Sequence, residues 1–108
     1  MRILCEEDVH EDERRRLTQL FTAPIAQVNL YEAKNGAILG DHFHRETDEY
    51  FYVVQGRIMY NESRILNTGD IFVVYPQENH RIECLEDVKL MSFLTRPYSK
   101  ENPDIWKS

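Results

Sequence analysis

Four residues of this chain have types and spacings suited to joint chemistry: His42, His44, Glu49 and His80. Three of the four histidines fall in two short segments, and imidazoles gathered with a carboxylate are the donor set of a transition-metal site. His42 and His44 are two apart, which on a strand puts both rings on one face with Phe43 on the other. Glu49 follows, and a carboxylate turned inward is costly to bury without a cation or a hydrogen-bonding partner. His80 opens a strand-like run in which His80, Ile82 and Cys84 share a face, so it can bring a third imidazole to the same place. The plainer use of the same residues is a set of hydrogen-bonded core or rim histidines without a metal. His10 lies in a charged run and reads as a surface residue.

The elements that must position these groups are short runs rich in β-branched and aromatic residues, at 25–31, 50–54, 57–60, 71–75, 81–85 and 88–94. Each is bounded by turn chemistry such as Asn35-Gly36, Gln55-Gly56 or Asn67-Thr68-Gly69-Asp70. Many short strands at close spacing predict an all-β barrel or sandwich with little helix. Read as a two-residue hairpin loop, Gln55-Gly56 sets Val53 opposite Ile58, Phe51 opposite Tyr60 and Glu49 opposite Glu62. Glu49, Phe51, Val53, Ile58 and Tyr60 then face inward, and Phe51, Tyr60 and Ile82 become candidate pocket residues. Tyr50, Tyr52 and Met59 are left on an outer face, to be covered either by sheet-to-sheet homodimerisation or by the N-terminal segment.

The chain has 108 residues, 42% of them hydrophobic and 30% charged, with a formal net charge of −6. That describes a single domain over 1–108 with a core at about 25–94. The acidic balance argues against nucleic acid or an anionic membrane as partner, since both select basic surfaces. The first residues lack the apolar stretch of a secretory signal, and Cys5 and Cys84 are too few for a disulfide framework. Two free thiols and a cytoplasmic location are expected. Segment 5–16 is a charge run, read as a short irregular solvated stretch, with anion binding by Arg14, Arg15 and Arg16 as the sharper alternative. The tail from residue 99 reads as extended, with Trp106 either an anchor or part of a frayed end.

The sequence resembles the cupins. Their first signature, G-x5-H-x-H-x4-E-x6-G, is matched at every fixed position by Gly36, His42, His44, Glu49 and Gly56. Their second, G-x5-P-x-G-x2-H-x3-N, keeps Gly69 and His80 while Tyr75, Gln77 and Cys84 replace the Pro, Gly and Asn. The resemblance implies a small β-barrel of jelly-roll type in which His42, His44, Glu49 and His80 correspond to the metal ligands. Mixed nitrogen and oxygen donors without thiolate suit Fe, Mn, Ni, Co or Zn, and affinity order alone does not choose among them. Open coordination positions let such an ion polarise a carbonyl or enolate, or bring dioxygen beside a chelated substrate.

A second resemblance lies upstream. Asp12 to Leu20, then Ile25 to Val28, then Gly36 to His44 look like the cupins that act on nucleotide sugars, the 3,5-epimerases and 3,4-ketoisomerases. Leu39 and Arg15 depart from that group, which commonly has an arginine and a glycine there. The resemblance implies metal-free proton transfer, with His42 or His44 as base and Tyr60 as a candidate acid; the alternative for Tyr60 is packing against Phe51. Three readings stand: a metal-binding isomerase or oxygenase acting on a small polar or anionic compound, a metal-free nucleotide-sugar epimerase or ketoisomerase, and a non-enzymatic ligand-binding or sensor barrel.

Overall fold

The structure, a computed structural model, describes residues 1–107. Its strands are β1 (Arg2–Leu4), β2 (Asp8–Glu11), β3 (Arg16–Gln19), β4 (Gln27–Ala33), β5 (Ile38–His42), β6 (Glu49–Gln55), β7 (Ile58–Tyr60), β8 (Arg64–Leu66), β9 (Ile71–Val74), β10 (His80–Cys84) and β11 (Val88–Leu94). No helix occurs among the described residues, so none is long and apolar enough to cross a membrane.

A five-stranded sheet in the order β1-β9-β6-β11-β4 faces a four-stranded sheet in the order β5-β10-β7-β8. Every pairing is antiparallel. Alternate residues of β6, β7 and β10 point between the sheets, where Phe51, Val53, Ile58, Tyr60, Ile82 and Cys84 meet Leu66, Phe72, Val74, Val88 and Leu90. Burying each large apolar side chain there contributes about 1.5–3 kcal/mol. The all-β jelly-roll expectation holds.

The hairpin register does not. β6 pairs with β9 and β11, whereas β7 pairs with β8 and β10, so the chain leaves one sheet for the other at Gln55-Gly56. Glu49 therefore lies beside Val74 and Leu94, not Glu62. A two-residue type I′ loop needs positive φ at both central residues and type II′ needs it at the first; here only the second, Gly56, has it, at 93°. Gly56 instead lets the strand pass the neighbouring corner, since a Cβ there would come within 2.6 Å of the Asp87 carbonyl oxygen. The inward and outward faces survive the error because alternation belongs to each strand separately.

The N-terminal segment is regular where an irregular stretch was expected. β1 adds an edge strand beside β9, and β2 and β3 form a hairpin whose turn is made by Asp12 Oδ1 accepting the amides of Arg14 and Arg15. Two of the three arginines are paired with carboxylates of the hairpin: Arg16 with Glu11 at 2.9 Å, and Arg14 with Asp12 at 3.5 Å. Met59 belongs to the four-stranded sheet and does not join Tyr50 and Tyr52. The outer face beside those tyrosines is completed by Phe93 and Met91 of β11 and by Val28 and Leu30 of the edge strand β4, the last two half exposed. Phe21 covers part of it, stacked on Tyr50 at 4.6 Å and edge-on to Phe93.

Candidate metal centre

β5 and β10 bring the first two imidazoles together as cross-strand neighbours, His42 opposite His80. The register shifts at this point, and Gly40 and Asp41 both have positive φ, 80° and 72°, so a bulge turns His42 relative to the rest of β5. Gly40 is needed for closeness as well as conformation, because a Cβ would stand 3.1 Å from the His80 carbonyl oxygen and 3.2 Å from its ring. Glu49 enters from the first position of β6, in the opposite sheet. His44 lies beyond the end of β5, where Phe43 bridges to Trp106, and its ring still comes to the same side as His42, with centroids 5.0 Å apart.

The outcome is convergence. One ligand atom from each of His42, His44, Glu49 and His80 lies within 4.8 Å of all the others. His44, Glu49 and His80 are buried and His42 is half-buried. The ring centroids of the three imidazoles are 4.5–5.1 Å apart. The donor set fits a divalent ion, since three neutral imidazoles and one carboxylate leave it close to one net positive charge without a thiolate.

Hydrogen bonds orient these groups. His44 Nδ1 donates to the Asp104 carbonyl oxygen at 2.7 Å, so Nε2 is the nitrogen that faces the cluster, 3.0 Å from Glu49 Oε1. His80 Nε2 lies 3.5 Å from the same carboxylate oxygen, and Ser92 Oγ donates to the other. Burial alone would raise the Glu49 pKa, but bonds from His44, His80 and Ser92 outweigh it and hold the carboxyl down at about 2. His42 is pushed down to about 4, first by desolvation and then by His80 and His44. Desolvation also opposes charge on His44, yet the bonds to Glu49 and to the Asp104 carbonyl win and raise it. Glu49 is thus a preformed anion facing three imidazoles.

Two cavities adjoin the cluster. One, about 120 Å³, is bordered by His42, His44 and Glu49 together with Gln27, Asn29 and Tyr31 of β4, Arg96, and a rim that includes Pro103 and Ile105. A smaller one of about 20 Å³ runs inward past Tyr31, Phe51, His80 and Ile82. Of the three expected pocket residues, Phe51 and Ile82 are present, while Tyr60 lines neither cavity. Its hydroxyl donates to Glu78, which also pairs with the Met1 ammonium. Burial and that carboxylate push the Tyr60 phenol far up, and its ring stands edge-on to Phe72 at 6.0 Å.

Sequence reasoning missed Tyr31, Ser92 and Asp104. Ser92 carried a signal, since it is the polar residue on the inward parity of β11 after Val88 and Leu90. Where the second signature has a glycine, Gln77 has a positive φ of 71°, and its amide donates to the His44 carbonyl at 2.6 Å. That conformation costs a non-glycine residue backbone strain.

A family model described as the Cupin domain matches residues 29–95. The chain belongs to the cupin family. A search of curated proteins finds no match to this cupin. Among solved structures it is similar to a 3,4-ketoisomerase from Helicobacter canadensis, with 20% identity and a TM-score of 0.75 over 99% of this chain and 90% of that one. It is also similar to the dTDP-4-dehydrorhamnose 3,5-epimerase from Sulfolobus tokodaii, with 21% identity and a TM-score of 0.71 over 89% and 71% of the two chains. The capsular polysaccharide assembling protein CapF from Staphylococcus aureus matches 98% of this chain at 20% identity and a TM-score of 0.67, and this cupin spans about a third (34%) of its length. At these identities the likeness carries the fold.

Proposed function

We propose that this cupin holds a divalent transition metal, one of Fe, Mn, Ni, Co or Zn, on His42, His44, Glu49 and His80, and acts there on a small polar or anionic compound as an isomerase or oxygenase. The observation that carries the reading is the convergence of all four ligand atoms within 4.8 Å, with Nδ1 of His44 tied to a backbone carbonyl. When bound, the ion supplies a Lewis acid beside the substrate. The chain does the rest. Gln27, Asn29 and Tyr31 present polar groups along one face of β4, Arg96, ion-paired with Glu46, stands at the cavity wall, and Leu94, Pro97, Pro103 and Ile105 exclude water. A second copy covers the apolar outer face around Val28 and Leu30, giving a homodimer. The free thiols of Cys5, which is exposed, and Cys84 fit a reducing compartment, and we place the protein in the cytoplasm.

The end-to-end likeness to a 3,4-ketoisomerase favours a second reading, metal-free proton transfer on a nucleotide sugar. In it His44 is the better base, because Glu49 supports its protonated form whereas His42 is held at about 4. Tyr31, which lines the cavities, replaces Tyr60 as the phenol within reach.

Elemental analysis of untagged protein, purified without chelator and compared with His44→Ala, separates the two. Near-stoichiometric metal in the wild type, lost in the variant, is the expected result. No metal after incubation with Fe(II), Mn(II), Co(II), Ni(II) and Zn(II) would overturn it and make nucleotide sugars the first ligands to test. Ligand binding without turnover by the metal-loaded protein would select the sensor reading.

A further inference from the structure

The C-terminal segment returns from the far end of the sequence to the histidine cluster, and its contacts are not those of a frayed end. Phe43 and Trp106 exchange two backbone hydrogen bonds, at 2.8 and 2.9 Å, and the Arg45 guanidinium lies 3.8 Å from the centre of the Trp106 ring. Between them Asp104 is buried at 8% exposure. Its Oδ1 accepts the Arg45 amide at 2.9 Å and the Trp106 indole N–H at 3.2 Å. Its Oδ2 accepts the Glu46 amide at 3.0 Å and the Thr47 hydroxyl at 2.7 Å. Asp104 also has a positive φ of 51°, a conformation that a non-glycine residue keeps only where its surroundings enforce it. Its carbonyl oxygen is thereby delivered to His44 Nδ1.

We propose that Asp104 is a positioning residue: its carboxylate latches residues 103–106 onto the loop carrying His44, and its carbonyl fixes the tautomer in which Nε2 faces the metal. The inference rests on the metal reading above. A carbonyl oxygen only accepts, so the Nδ1 proton is committed, and Nε2, 3.0 Å from the Glu49 carboxylate, is the position that gives up its proton to take the metal. The comparable bond of His80, from Nδ1 to the Glu78 carbonyl, is long at 3.5 Å. His44 is therefore the ligand whose orientation depends on the tail. The same segment supplies Pro103 and Ile105 to the cavity rim, so releasing the latch frees a ligand and opens the pocket together.

The test measures two things in the full chain: Zn(II) affinity by competition with a chelating dye, and solvent protection of the His44 Nδ1 proton by ¹⁵N-edited NMR of the metal-free protein. In Asp104→Ala the protected proton disappears and Zn(II) binding weakens about 10–100-fold, the usual cost of losing an outer-shell partner. Asp104→Asn, which keeps an acceptor oxygen, falls between the two. Wild-type affinity together with a protected proton in Asp104→Ala would overturn the proposal. A wild type that binds no Zn(II) but shows the protected proton, lost in Asp104→Ala, would refute the metal reading and leave the latch standing. Should Asp104→Ala fail to fold, Thr47→Val removes the hydroxyl bond to Asp104, and Trp106→Ala removes the indole bond and the ring beneath Arg45. Smaller losses of both signals in these variants support it, and unchanged signals in both overturn it.

Discussion

β6, β10 and β11 each run from one end of the barrel to the other, and the two ends are furnished differently. At one end the inward residues are Val53, Cys84, Val88 and Leu90, joined by Ile58 and Leu66, and each is at most 2% exposed. At the other end the same strands present Glu49, His80 and Ser92, joined by His42 and His44. The apolar end is held by area alone, so any residue of suitable size and alternation serves. The polar end is held by named pairs, Ser92 to Glu49, Glu49 to His44 and His44 to Asp104, in which each group needs its own partner. The apolar core is therefore densest at one end, and the paired titratable groups gather at the other.

Four measurements break or sharpen that contrast. Ile58→Ala removes a fully buried side chain of the apolar end, and costs about 2–5 kcal/mol in urea unfolding. A small loss would mean that the apolar end is not the source of stability.

The acid limb of stability comes next, and it belongs to the polar end. Glu49 at about 2 and His42 at about 4 lie below their ordinary values of 4.5 and 6.5, so the folded metal-free protein binds fewer protons than the unfolded chain. Their contribution is complete above about pH 6.5. It is lost as pH falls, first between 6.5 and 4 through His42 and then between 4.5 and 2 through Glu49. His44, raised, acts in the opposite sense: its contribution is present below 6.5 and declines as pH rises through its folded value. Urea midpoints measured across pH should show the acid limb in the wild type, flattened between 4.5 and 2 in Glu49→Gln. An identical limb in both proteins would show that Glu49 is not the anion described.

Gly40→Ala combines positive φ with a Cβ 3.1 Å from the His80 carbonyl, and should cost about 1–2 kcal/mol. Metal affinity should fall with it, because His80 must shift; an unchanged affinity would remove the bulge from the account. The smallest effect is expected for Gln77→Gly, which relieves a φ of 71° and changes stability by less than about 1 kcal/mol, in the stabilising direction. Thermal unfolding resolves the sign, and a destabilised variant would mean that the Gln77 side chain, rather than its backbone, holds the loop.

What the sequence made legible follows the same division. Inward faces of β6, β7 and β10 could be read because alternation is local, and so could the grouping of His42, His44 and Glu49, whereas His80 came from its own strand parity and the second signature; the four converge. Pairing between strands could not: the glycine at Gln55-Gly56 looked like a reversal, but the positive φ falls on Gly56 and not on Gln55, and β6 and β7 pair in different sheets. Tyr31 was hidden because its role depends on which strand ends up beside the cluster. Asp104 was hidden more deeply, sixty residues from His44 and acting through a backbone carbonyl that every residue type possesses. The N-terminal hairpin was masked by charge, although Asp12 before Arg14 and Arg15 was a turn marker in plain view.

The most direct test of the central claim is anomalous diffraction from crystals of untagged protein grown after Zn(II) loading, recorded on both sides of the zinc edge. The account predicts one strong anomalous peak about 2.0–2.2 Å from Nε2 of His44, a carboxylate oxygen of Glu49 and ring nitrogens of His42 and His80. No peak among these residues, with the four side chains left in the hydrogen-bonded arrangement described above, would contradict it.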